Sequence, residues 1–173
     1  MYERILLAYD GSREGLIALR EGALLARTCG ARVFLLSVLP LADSSASAPA
    51  ADGGYGGAVA THVDTYHALL SRGVDVLRQL GFDPVARLVV GEPAPQIGAF
   101  AKEIGADLVV LGHRRRSFLE RWWSGGTGAY VTEHVPCSVL IGRNPVSDEA
   151  FAAEIKEAKA ASEASADHPA QAP

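Results

Sequence analysis

The residues of this chain whose types and spacing could do chemistry stand where apolar runs end. Asp10 follows the run 5–9 and precedes Gly11-Ser12. A carboxylate there can meet a ribose hydroxyl or a Mg²⁺ ion, and it can equally serve as turn chemistry. Gly112 closes the run 107–111, and Gly91-Glu92-Pro93 follows the run 86–90. Glycines at such ends let a ligand approach the backbone closely. The richest stretch starts at Gly112 and His113, passes through Arg114, Arg115, Arg116, Arg121, Trp122 and Trp123, and ends at Gly125-Gly126-Thr127. Its arginines offer planar donors suited to phosphate oxygens. Its last glycines open a predicted helix over 127–134, whose unpaired N–H groups and positive dipole end favour an anion. The alternative is a solvated basic loop closing an ordinary crossover.

Other candidates carry less chemistry. His113 either bonds a phosphate and responds to pH or is an exposed histidine. His134 stands where a positive charge suits a helix end. Glu92 has no sequence-visible partner and reads as a polar loop residue. Trp122 and Trp123 pack beneath the loop, with base stacking as the sharper alternative. Cys29 and Cys137 have neither CxxC nor Cys/His metal spacing and read as buried reduced thiols. A P-loop lysine, a Gly-x-Ser-x-Gly elbow and a HExxH helix are all missing from the sequence.

The elements that must position these residues alternate in type. The run 5–9 predicts a buried strand, and Asp10-Gly11-Ser12 a turn that caps a helix over 13–29, which Gly30 ends. The run 33–39 is apolar nearly throughout, as a strand covered on both faces must be. Residues 41–57 are rich in Ala, Ser, Gly, Pro and Asp and predict a mobile loop. From Val59 to Leu80, apolar residues recur every three or four positions, with Gly73 interrupting the stripe. That predicts a helix with one buried face. Strands over 86–90, 107–111 and 138–141 follow, with helices around 97–104 and 127–134 between them. The alternation predicts an α/β fold, a single doubly wound, mostly parallel five-stranded sheet with helices on both faces. Ligands in such sheets bind beyond the carboxyl ends of the strands, where the strand order reverses.

These motifs, taken in order, resemble the universal stress protein family. Asp10-Gly11-Ser12 is similar to the family's first strand end. The run from Ala106 to Gly112, the glycine spacing that follows it, and Pro136-Cys137-Ser138-Val139-Leu140 are similar to its later motifs. The resemblance covers roughly residues 2–143 and implies the strand order 3-2-1-4-5, with Asp10 and Gly112 facing one crevice. It implies that the backbone at Val38 meets an adenine, that Asp10 lies near the ribose or a metal, and that the glycine motif wraps the phosphates. Gly112 and Gly125 keep the family pattern Gly-x2-Gly-x9-Gly-(Ser/Thr). Arg115 replaces its second glycine and Gly126 its final hydroxyl residue, with Thr127 one position on. Arg115 either blocks the phosphate or supplies a charged donor.

The expectation for residues 1–144 is therefore a signalling or stress-response module that binds ATP or another adenine nucleotide with Mg²⁺. Its candidate binding residues are Asp10, Val38, Gly112, His113, Arg115, Gly125, Gly126 and Thr127, with no catalytic set. Two alternatives stay open. One is a nucleotide-independent homodimeric interaction protein with a degenerate site, and the other is a slow ATP hydrolase. The resemblance and the edge position of the fifth strand imply a homodimer through 138–141. Residues 145–173, rich in Ala and Glu, are expected as a tail, partly helical or disordered, with one short amphipathic helix at Phe151, Ile155 and Ala158 before a disordered end. A net charge of -4 and the lack of an RNA-stacking or helix-turn-helix pattern argue against nucleic acid. No long apolar run or leader pattern is visible, which points to the cytoplasm and away from membranes.

Overall fold

Alternating side chains on the strands decide the architecture. In the computed structural model, which describes residues 1–40, 55–112 and 135–166, the parallel sheet runs β3-β2-β1-β4-β5. Its strands are β1 (Arg4–Ala8), β2 (Arg32–Leu39), β3 (Val85–Val90), β4 (Leu108–Gly112) and β5 (Ser138–Gly142). The helices are α1 (Arg13–Cys29), α2 (Tyr55–Gln79), α3 (Pro93–Ile104) and α4 (Asp148–Ala166). Ile5, Leu7, Val33, Leu35, Leu108 and Val110 point to one face, where they meet α1, α2 and the start of α4. Leu6, Phe34, Leu36, Val109 and Leu111 point to the other, where α3 covers them. The period-two alternation thus fills two cores, so the central strands read as continuous apolar runs.

Small residues bring α1 close to the sheet. Its buried stripe is Gly15, Ala18, Leu19, Gly22, Ala23 and Ala26, at helical spacing. Gly30 closes α1 in the left-handed conformation at φ 64°, its N–H donating to the last-turn carbonyls. Gly73, the break in the α2 stripe, faces the Tyr9 ring. A Cβ at this glycine would lie 3.0 Å from Tyr9 Cδ1 and 2.9 Å from Leu35 Cδ2. The interruption is therefore a seat for an aromatic ring.

Two boundaries differ from the sequence reading. α2 begins at Tyr55, inside the expected loop, and the remainder of that loop's residues, 41–54, lies outside the described residues. The expected helix over 127–134 lies outside them too. Along the tail, α4 runs from Asp148 to Ala166, longer than one short helix. Ser147 caps it, its Oγ accepting from the Ala150 N–H at 3.1 Å. Cys29 and Cys137 are half-buried, less enclosed than the sequence reading implied. Burial, with Asp107 nearby, pushes the Cys137 thiol above its ordinary pKa.

Candidate functional site

The chain leaves β1 under tight control. The Tyr9 N–H donates to the Leu36 carbonyl at 2.9 Å. The wholly buried Ser37 hydroxyl donates to the Tyr9 carbonyl at 2.7 Å. Beyond this clamp, Asp10 Oδ1 accepts from the Ser12 N–H at 2.9 Å and from the Ser12 hydroxyl at 2.5 Å. Ser12 Oγ in turn accepts from the Gly15 N–H at 2.9 Å. Asp10 therefore orients the residue that caps α1, a turn role for a carboxylate that also lines the cleft described below.

Gly112 reaches the same place from β4, for a reason other than ligand access. A Cβ here would lie 2.8 Å from the Glu14 carbonyl carbon and oxygen and from the Gly15 nitrogen. Its register partner Gly142 is similarly constrained, since a Cβ there would lie 2.5 Å from Ala18 Cα. Both strand ends lack side chains so that α1 can pass over them. That contact draws the first turn of α1 to the point between β1 and β4 where the strand order reverses.

A cavity of about 140 Å³ opens at that point. Strand residues Ala8, Leu36, Val38 and Leu111 give it an apolar base. Tyr66 borders it from α2, and Pro93 and Ile97 border it from α3 on the other face of the sheet. Asp10, Ser12 and Gly15 add a polar side at the start of α1. Pro93 and Pro95 remove N–H groups from the first turn of α3, so that helix presents apolar surface to the cavity and few donors. Tyr9 completes the lining, and burial holds its hydroxyl above the ordinary tyrosine pKa. Arg72 opposes that shift and Asp10 adds to it.

Of the residues expected in a site, the structure brings Asp10, Val38 and Gly112 to this one cavity. His113, Arg115, Gly125, Gly126 and Thr127 lie outside the described residues. Of the turn Gly91-Glu92-Pro93 that follows β3, Pro93 is in the lining and Gly91 and Glu92 are not. Tyr66 falls within the 59–80 stripe whose spacing predicts one buried face, yet it borders the cavity. The available signal was its place in the first half of a crossover helix, the half nearest the carboxyl ends of the strands. Among the described residues, no three His, Cys, Asp or Glu side chains gather to hold a metal ion. Among them also, no helix is long and apolar enough to cross a membrane.

Comparison with known proteins follows the same line. The model of the universal stress protein family matches residues 1–143. The chain is 30% identical over 149 residues to universal stress protein Sll1388 of Synechocystis, covering 81% of this chain and 97% of that one. A universal stress family protein from Burkholderia pseudomallei is similar in structure, with TM-score 0.62 and 25% identity over 83% of this chain and 96% of the other. A universal stress protein solved in complex with cAMP is similar too. It has TM-score 0.58 and 26% identity over 82% of this chain and 97% of the other.

Proposed function

The chain belongs to the universal stress protein family, and from that premise we propose that it is a stress-response module that binds an adenine nucleotide. The observation that carries this reading is the cavity at the switch point, apolar where the strands end and polar where α1 begins. An adenine suits the space between Val38 and the Pro93–Ile97 wall, where its flat faces meet apolar groups. Its ribose then falls beside Asp10, and its phosphates run toward Gly112 and the stretch that follows. A related protein's complex with cAMP supports the choice of ligand class. In the phosphate stretch, His113, Arg115, Gly125, Gly126 and Thr127 are the proposed contacts, with Arg115 acting as a charged donor. Mg²⁺ enters with the phosphates as their counter-ion.

Isothermal titration of the nucleotide-stripped chain with ATP and Mg²⁺, and separately with cAMP, tests the reading. Saturable binding is expected. Asp10→Asn should weaken it roughly tenfold while keeping an acceptor for the Ser12 N–H, and Gly125→Val should remove phosphate-dependent affinity. A folded chain that takes up neither ligand would overturn the reading.

A second reading is favoured by the arginine at 115 and the glycine at 126, where the family pattern has Gly and Ser/Thr. In it, the site is degenerate and the chain works as a homodimer through β5. Val139 on that edge strand is 40% exposed, which supplies an apolar position for such a contact.

A further inference from the structure

Helix α2 reaches the cleft through a series of seats on the end of β1. Gly73 accommodates the Tyr9 ring, just before the turn at Asp10. One helical turn earlier, Leu69 lies over Gly11, where a Cβ would run into the Leu69 side chain. Gly11 also has φ 77°, so both its backbone and its missing side chain suit this contact. Because β2 and β3 are parallel, stepping back along α2 leads outward past the carboxyl ends of the strands. Tyr66, three residues before Leu69, therefore stands about 4.5 Å further out on the same helix face. Helical side chains lean toward the start of their helix, which here is the direction of the cavity that Tyr66 lines.

This seat is on the polar side of the cavity. α1 and α2 pack on one face of the sheet, and α3, with Pro93 and Ile97, stands on the other. Among the described residues that line the cavity, Tyr9, Ser12 and Tyr66 are those whose side chains carry a hydroxyl. The Ser12 proton is given to Asp10 Oδ1, and its oxygen accepts from the Gly15 N–H. Tyr9 is buried, with its ring against Gly73. Tyr66 is half-buried and can meet a ligand. A phenol both donates and accepts, so it can take a ligand hydroxyl while keeping a protein partner. The same described lining contains no Lys, Arg or His. With a carboxylate present and no cation, this side suits a neutral hydroxyl-bearing group rather than a phosphate.

We propose that Tyr66 is a specificity-determining residue that, together with Asp10, reads a sugar hydroxyl of the ligand. The sugar hydroxyl donates to the Asp10 carboxylate, which only accepts, and shares a second hydrogen bond with the Tyr66 phenol. The pair thereby selects a ribonucleotide over its deoxy counterpart. This rests on the adenine-nucleotide reading of the same cavity and adds the part of the ligand that its polar side recognises.

Isothermal titration of the full chain with Mg²⁺ and ATP, 2′-deoxy-ATP or 3′-deoxy-ATP tests it, alongside the Tyr66→Phe variant. The unmodified chain should bind at least one deoxynucleotide roughly fivefold or more weaker than ATP. Tyr66→Phe keeps the ring, so it should weaken ATP roughly fivefold and leave that deoxynucleotide unchanged. An unmodified chain that binds all three alike overturns the proposal. So does a variant that weakens all three equally, since the hydroxyl would then act through packing, or one that weakens none. A Tyr66→Phe chain that no longer folds also overturns it, because the hydroxyl would then serve the core. In each of these cases ATP binding by the unmodified chain leaves the nucleotide reading standing. If the folded unmodified chain takes up none of the three, the nucleotide reading itself falls, and the role of Tyr66 with it.

Discussion

At the residue scale, the cleft depends on groups whose jobs are partly structural. Gly112→Ala sets a methyl group against the Glu14–Gly15 backbone, so it should cost roughly 1–3 kcal/mol in a denaturant melt. The same substitution at Gly30 would meet open space but a left-handed backbone, a smaller strain. Tyr9 offers a spectroscopic test. Its pKa lies above 10.0 chiefly because burial disfavours the phenolate, with Asp10 reinforcing this against Arg72. The folded state thus holds the proton more tightly than the unfolded one. This contribution to stability is complete below the unfolded tyrosine pKa and is lost as pH rises through the folded value. Phenolate absorbance should show Tyr9 ionising above the ordinary tyrosine value of 10.0, and Asp10→Asn should move it back toward 10.0. A Tyr9 titration unchanged by that substitution would show that the Asp10 charge does not reach the hydroxyl.

At the element scale, α1 joins the parts. Its first turn borders the cavity, its small face lies on β1 and β4, and its arginines hold α4. Ser12→Ala removes the acceptor for the Gly15 N–H and should cost about 1 kcal/mol, read as a lower melting temperature. On α2, Leu77 is wholly buried, and Leu77→Ala should cost about 2–5 kcal/mol through lost burial and the cavity left behind. Much of this element order was legible beforehand. Asp10-Gly11-Ser12 announced a cap, Gly30 a stop, and the runs at 33–39 and 107–111 strands covered on both faces. The start of α2 at Tyr55 was not legible, because the Ala and Gly residues there give no apolar period to read.

For the whole molecule, the sheet edges are where two copies would associate. β3 and β5 are the sheet edges, and Val139 stands exposed on the latter. If β5 pairs two copies, sedimentation should give a dimer that Val139→Lys converts to a monomer while the fold persists. A monomer at all concentrations would remove the homodimer reading.

The sequence by itself determined the alternation of strands and helices, because periodicity and caps are local properties of neighbouring residues. With the family likeness it also placed Asp10, Val38 and Gly112 at one crevice, since the ends of parallel strands must share one edge. Tertiary structure alone decided three matters. Gly112 and Gly142 are small because α1 crosses them, a contact between segments distant in the chain. Tyr66 borders the cleft because of how α2 lies on β2, which a helical stripe leaves undetermined. The acidic tail docks because Arg20 and Arg27 fall opposite Asp148 and Glu154, and only folding brings those charges within reach of one another.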